Sequence, residues 1–477
     1  MKKQPYFCLL VLLFTHQVIL AQDKWDLRRA VEYALINNIS VKQEDVQARL
    51  TALQLKQSKL SQYPSANLSG NVGYSSGRNQ NPVTFDLITQ GYLFSNYSLQ
   101  TGIDIFNWYS KKNSIAANEF ETKAAFANIE KLRNDIALNV AGAYLQTLLA
   151  VEQINVSEIQ VEQTKAQLQN TRKLVNAGSV PELNALQLEA QLAADSANLV
   201  TAQGNVAQSL LLLKAYLSFD AATPFEIQTP DIETIPLDDI ASLQPEVVYA
   251  LAIKNLPQQR VNDLKIQAAQ KFIASAKGAM YPTFSLFGSL GSSYNNKANE
   301  ISATTPIIAP LGKVTVGGTQ YDVFPLQPFN NYSYSSIPYF GQINQNFRQS
   351  IGLGVSVPIA NGGNLRTAYE RSKLNLKSLE LQSQSDNLVL KQDIYKAYTD
   401  AMTSLAKFNA ATKTVEANQR AFEFAQKRYD VGLLNTIDLI TTQNNLFNAR
   451  LQRLLAQFDY VFKMKVLEFY KGQGLKL

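Results

Sequence analysis

Residues 63–74 read Tyr-Pro-Ser-Ala-Asn-Leu-Ser-Gly-Asn-Val-Gly-Tyr, and their alternation decides the fold class. The proline ends the helical pattern before it. Beyond it, Ala66, Leu68, Gly70, Val72 and Tyr74 fall on one side and Asn67, Ser69 and Asn71 on the other. A period of two marks a β-strand with one apolar and one polar face. Three further stretches read the same way, so strands are expected near 66–75, 95–106, 283–294 and 346–357. In the second, Tyr97, Leu99, Thr101, Ile103 and Ile105 oppose Ser98, Gln100, Gly102 and Asp104. In the third, Phe284, Leu286, Gly288 and Leu290 oppose Ser285 and Ser289, with Phe287 out of pattern. In the fourth, Phe347, Ile351, Leu353, Val355 and Val357 oppose Arg348, Ser350, Gly352, Gly354 and Ser356, with Gln349 as the exception. Segments of about 10 residues with this pattern suit tilted strands across an outer membrane, although a half-buried soluble strand looks identical.

The strands belong to a repeated unit. Tyr63-Pro64-Ser65 returns as Tyr281-Pro282-Thr283, and Ala34-Leu35-Ile36-Asn37 as Ala252-Ile253-Lys254-Asn255, both 218 residues later. Farther on the offset is 254: Asn107 with Asn361, Ala143-Tyr144 with Ala397-Tyr398, Gly178 with Gly432, Leu192 with Leu446. One insertion in the second copy explains the jump of 36. It falls in Asn295 to Gln345, rich in Asn, Tyr, Ser, Gly and Pro, which reads as a long exposed loop. The expected organisation is a leader at 1–21, a first repeat at 22–217, an irregular segment at 218–244 and a second repeat at 245–477.

Each repeat opens with a helix, about Trp25 to Ser61 and about Pro245 to Met280. After the second strand comes a much longer one. Between Lys112 and Val175 there is no proline, and Ile154, Val161, Leu168 and Val175 recur every seven residues. Leu374, Leu381, Leu388, Tyr395 and Met402 do the same in the second repeat. Such recurrence marks supercoiling helices with packing seams, here about 100 Å long at 1.5 Å per residue. Tight turns are expected at 176–181 and 429–435, where Gly178 and Gly432 suit a helix end needing positive φ. Return helices carry Leu192, Leu199, Val206 and Leu213, and Ile440, Phe447, Leu454 and Val461.

Composition narrows the function. Lys2 and Lys3 precede an apolar run from Phe7 to Leu20, the pattern of a secretory signal peptide cut near Ala21-Gln22. The only Cys, Cys8, and the only His, His16, would leave with it. Thiol and imidazole chemistry then goes as well, both metal sites and nucleophilic catalysis. Carboxylates show no paired cluster, so no catalytic, cofactor-binding or metal residue is expected. Net charge falls from +6 to +4 with Lys2 and Lys3 removed, and the basic residues are dispersed, which argues against a nucleic-acid surface. Four strands cannot close a barrel, and lipid does not tolerate open strand edges. Strands must therefore be shared, two chains giving eight or three giving 12.

The order helix, strand, loop, strand, long helix, turn, helix, repeated twice, resembles the TolC family of outer-membrane efflux proteins. The residues that carry the resemblance are Tyr63-Pro64, Tyr281-Pro282, the run Pro358 to Gly363, the run Arg428 to Leu439, and Leu446 to Arg450. It covers essentially Trp25 to Phe469. It implies a homotrimer whose shared 12-stranded barrel in outer-membrane lipid continues into a periplasmic coiled-coil tunnel. It also implies docking to a periplasmic adaptor (a membrane fusion protein) bound to an inner-membrane transporter, with export through the tunnel. The resemblance places a tunnel constriction at Asp438, with Thr441 where some members carry a second acid, and Asn184 at the equivalent point of the first repeat. The adaptor-docking turns would be Gly178, Ser179 and Val180, and Val431, Gly432 and Leu433. Trp108-Tyr109 stands where the second repeat has Gly362-Gly363, so a close backbone approach is not expected there. A periplasmic adaptor and a coiled-coil spacer are the competing readings; neither requires duplicated amphipathic strands.

Overall fold

The computed structural model describes residues 24–80, 85–230, 232 and 235–472; the expected leader lies outside them. Along the chain the helices are α1 (Leu27–Asn37), α2 (Ile39–Leu60), α3 (Ser110–Asn176), α4 (Glu182–Leu217), α5 (Pro245–Asn255), α6 (Pro257–Gly278), α7 (Tyr339–Gln345), α8 (Asn364–Asp430) and α9 (Thr436–Phe469). The strands are β1 (Ser65–Gln80), β2 (Leu87–Phe106), β3 (Thr283–Asn295), β4 (Asn299–Ile307), β5 (Gly312–Val316), β6 (Thr319–Val323), β7 (Phe329–Ser336) and β8 (Arg348–Ser356). Two compact units divide the chain: Gln54–Asn118 with Ala269–Leu374, and the remainder.

The first of these units holds a four-stranded antiparallel sheet in the order β1-β2-β3-β8. Its register sorts the two faces. Leu68, Leu99 and Leu290 stand in one cross-strand row, and Asn67, Gln100, Ser289 and Ser350 in the next. The hydroxyls of Ser289 and Ser350 lie 2.8 Å apart. Phe287, the break in the alternation, sits on the polar face and fills space over Gly352, where a Cβ would stand 2.7 Å from its Cζ. Gln349 pairs with Leu290 on the apolar face. Among the described residues β1 pairs only with β2 and β8 only with β3, so the sheet is open at both edges.

The stretch read as an exposed loop contains two hairpins, β4 with β7 and β5 with β6, followed by α7. Every residue of these strands is exposed. Neither face is buried, so no apolar period announces them; their backbone groups pair with each other instead. Gln342 of α7 is buried and clasps the base of the insertion, accepting from the Asn295 amide at 2.9 Å and donating to the Asn295 and Ile337 carbonyls.

Trp108 and Tyr109, between β2 and α3, hold φ of 50° and 60°. Gly362 and Gly363 hold 64° and 77°. The aromatic pair thus adopts the left-handed conformation that glycine adopts freely, although bulky residues rarely do. Ring contacts over-determine it: Phe106 lies 5.3 Å from Trp108 and 5.8 Å from Tyr109, and Trp108 lies 5.1 Å from Tyr281.

In the helical unit, the two helices expected to open the repeats are each broken. Asn38 separates α1 from α2 with ψ 130°, its side chain donating to the Tyr216 carbonyl at 2.8 Å and accepting from the Ser40 amide at 2.9 Å. Leu256, driven extended by Pro257, separates α5 from α6. A core of Ala30, Ala34, Val140, Tyr144, Leu213 and Leu217 joins α1, α3 and α4. A second, with Val248, Ile394, Ala401, Met464 and Leu467, joins α5, α8 and α9. The described residues between 218 and 244 pack onto this framework through Phe225, Ile227 and Leu243. Lys465 and Glu468, an ion pair of 2.9 Å that is only 5% exposed on each side, grip the Pro236 carbonyl and the Asp238 amide.

The seven-residue recurrence does not mean the same thing everywhere. Leu168, Leu213, Phe447 and Val461 are buried, but Leu374, Leu381, Leu388, Tyr395 and Met402 of α8 are exposed and form no seam among the described residues. The buried face of α8 is offset from them, at Ile394, Ala397, Ala401 and Ser404.

Candidate functional site

Both tight turns are helix ends of one geometry. After α3, Gly178 takes φ 70°; its amide donates to Val175 and that of Ser179 to Leu174, each at 2.9 Å. After α8, Gly432 takes φ 76°; its amide donates to Tyr429 at 2.9 Å and that of Leu433 to Arg428 at 2.8 Å. These are the two hydrogen bonds of a Schellman motif, which satisfy the last carbonyls of each helix. A Cβ on either glycine would meet nothing within 4 Å. Ser179, Val431 and Leu433 are exposed and Val180 is half-buried. Both turns therefore present backbone and small or apolar side chains outward.

Asp438 stands in the first turn of α9. Asn435 caps that helix, its carbonyl oxygen accepting from the Asp438 amide at 2.8 Å. In return the Asn435 side-chain Nδ2 donates to Asp438 Oδ2 at 2.9 Å, so the two side chains brace the helix start. Asp438 itself is exposed. Leu439 is buried and Ile440 half-buried, whereas Ile437 is exposed. Thr441 is exposed, with its hydroxyl bonded back to the Ile437 carbonyl at 2.8 Å. Asn184 occupies the first turn of α4 and is half-buried.

Side-chain hydrogen bonds fasten the helices behind the turns. Thr171 of α3 meets the Tyr429 hydroxyl at 2.9 Å, and Gln167 donates to Gln426 at 3.0 Å. Deeper lies a polar layer that sequence reading missed. Asp195 of α4, 2% exposed, accepts from Thr164 of α3 at 2.6 Å and from Gln191 at 2.8 Å. Gln443 of α9 donates to Thr164 at 2.8 Å, and Gln191 exchanges hydrogen bonds with Asn444. Ser157, Gln160, Thr164 and Thr171 are all buried on α3 at spacings of three, four and seven, positions where apolar residues signal a seam. A search for apolar recurrence passes over such a layer; polar residues at heptad spacing are its only trace.

Among the described residues no group of three or more His, Cys, Asp or Glu side chains is placed to hold a metal ion. No described helix is long and apolar enough to cross a membrane.

Comparison with known proteins agrees with this architecture. The profile of the family described as outer membrane efflux protein matches residues 30–218 and 248–467. Outer membrane protein TolC of Escherichia coli (strain K12) is 22% identical over 372 residues, which cover 76% of this chain and 66% of TolC. The chain thus spans just under two thirds of that relative's length. Among solved structures, CusC superposes with a TM-score of 0.75 at 16% identity, over 94% of this chain and 92% of CusC. The Campylobacter jejuni CmeC outer membrane channel superposes with a TM-score of 0.70 at 19% identity, over 94% and 86%. The fold is mixed α and β, that of these channels. With its profile matched over most of its length, the chain belongs to the outer membrane efflux protein family, whose members are transport channels of the outer membrane.

Proposed function

We propose that this chain is the outer-membrane exit channel of a tripartite export system, conducting substrates passively from a periplasmic adaptor and inner-membrane transporter to the outside. The observation that carries the reading is the open sheet. Its apolar face, with Leu68, Val72, Ile351 and Leu353 exposed, suits lipid, and its free edges at β1 and β8 do not. Three copies joined β8 to β1 close a barrel of 12 strands, each copy giving four. The two halves of the chain, with the same element order apart from the insertion β4 to α7 and the same Schellman turns, are two copies of one ancestral unit.

In this reading the turns at Gly178 to Val180 and Val431 to Leu433 are the adaptor-docking ends, and Asp438 and Thr441 ring the tunnel mouth. The chain supplies positioning and a conduit and performs no catalysis. The test is the mass of the detergent-solubilised complex together with its conductance in planar bilayers. Three chains per particle and an ion-conducting pore are expected; a monomer without conductance overturns the proposal.

A further inference from the structure

Two arginines of α9 stand on a packed face without a counter-ion. Arg453, Leu454 and Gln457 follow Arg450 at the spacings that keep residues on one side of a helix. All four are half-buried, and with Val156 of α3 and Val415 of α8 they line a cavity of about 330 Å³ inside the helical unit. Arg450 donates to the Gln419 side-chain oxygen at 2.7 Å, and Gln419 turns its amide nitrogen to Glu423 at 2.9 Å, so a neutral side chain separates guanidinium from carboxylate. Arg453 lies over the Phe408 ring, 5.9 Å from its centroid, and its Nε is buried and meets no acceptor among the described residues. Neither arginine forms an ion pair among them, whereas Arg28, Arg49, Arg133 and Arg172 each hold a carboxylate. Burial lowers the Arg450 pKa from its ordinary value, as it does for a cation withdrawn from water.

We propose that this pair binds an organic carboxylate with a small apolar body, the carboxylate on the two guanidiniums and the body against Val156, Val415 and Leu454. A guanidinium drawn into a packed face costs free energy unless its charge and its donors are met. Two like charges one turn apart on a helix face also repel. A single anion between them answers both. Guanidinium presents its N–H groups in a planar fork that matches a carboxylate, and Gln457 adds an amide to the same cavity. The volume lies at the lower end of the range for small-molecule sites, about 300–1,000 Å³. Its valine and leucine walls suit a hydrocarbon body and not the water shell of an inorganic ion. Three helices of one chain build the cavity, so its ligand is independent of how many copies form the channel.

The experiment is calorimetric titration of the detergent-solubilised full chain with benzoate. Benzamide serves as the neutral counterpart and inorganic phosphate as an anion without an apolar body. Saturable benzoate binding is expected, about tenfold or more tighter than either of the others, the worth of a hydrogen-bonded charge pair. Arg450→Gln and Arg453→Gln are each expected to weaken it by about tenfold or more on the same ground, with the mass of the particle and the helical circular-dichroism signal kept. In the unaltered protein benzoate should raise the thermal-unfolding midpoint and benzamide should not, a reading that needs no variant to fold. Absence of saturable benzoate binding overturns the proposal, and so does binding that survives both substitutions. Phosphate bound as tightly as benzoate overturns the assignment of an organic ligand.

Discussion

The carbonyl oxygen of Trp108 lies 2.8 Å from the point where a Cβ on Gly278 would stand, so the end of α6 approaches the β2–α3 turn as closely as a glycine allows. Ser110 closes the same contact, its hydroxyl donating to the Ser275 carbonyl at 2.9 Å. The obstructing atoms are the Trp108 carbonyl oxygen and the Ser110 nitrogen and Cβ, all fixed by the backbone. Gly278→Ala should therefore destabilise the protein by about 1–3 kcal/mol, the range for overpacking a tight contact. Thermal unfolding followed by circular dichroism checks it; a midpoint within a degree of the parent's would show that the turn gives way.

At the helix turns the steric situation is the opposite. Gly178 and Gly432 have open space around them, and only their positive φ resists a side chain, by roughly 1–2 kcal/mol each. Trp at both positions should leave three-chain particles in the outer membrane and abolish export, while Ala at both should retain export. Trimer yield falling in step with export in the Trp variant would mean that the glycines serve only to end their helices.

Asp438 has a structural duty, its hydrogen bonds with the helix-capping Asn435, and the proposed lumenal one. The two separate in measurement. Asp438→Ala should remove about 0.3–1 kcal/mol of helix-start stabilisation. It should also raise single-channel conductance, weaken block by multivalent cations and lower cation preference, as expected when a ring of acids is removed from a pore. Asn184→Ala should change conductance less, since no charge is lost. Unchanged selectivity and block in Asp438→Ala would leave only the cap.

Tyr144 ties two distant segments to α3, its hydroxyl bonding to the carbonyls of Trp25 at 3.0 Å and Gln228 at 2.6 Å. Burial, and secondarily the nearby Asp26 carboxylate, push its pKa above the ordinary 10.0. Because the folded state favours the neutral phenol, this contribution is full below pH 10 and is lost as pH rises beyond it. Tyr144→Phe removes the hydroxyl from the Gln228 carbonyl, while the Trp25 carbonyl keeps the Gln228 amide at 2.8 Å, and should cost about 1–3 kcal/mol at neutral pH. It should also flatten the decline in stability above pH 10, read from denaturant midpoints at pH 8 to 11. An equally steep decline in Tyr144→Phe would remove Tyr144 as its cause.

Where local chemistry acts alone, the residues were readable. Tyr63-Pro64 and Tyr281-Pro282 stop helices because proline must; Gly178 and Gly432 end them because a left-handed residue is needed; and Leu68, Leu99 and Leu290 alternate with polar neighbours because one face of the sheet is apolar. Proline, glycine and the period of two each carry their cause in the chain itself. The hairpins of the insertion were invisible for a complementary reason: a strand with both faces in solvent has no periodic burial to advertise.

Three features were decided only by chain segments meeting in space. Phe287 contradicts its strand's alternation until Gly352, 65 positions away in the chain, supplies the hollow beneath it. Trp108 and Tyr109 take glycine's conformation because Phe106 and Tyr281 hold their rings. The recurrence of seven reads alike in α3 and α8, yet it buries Leu168 and leaves Leu388 bare. Periodicity states that a helix has an apolar side; which neighbour covers that side depends on long-range packing, and for α8 no described part of the chain does so.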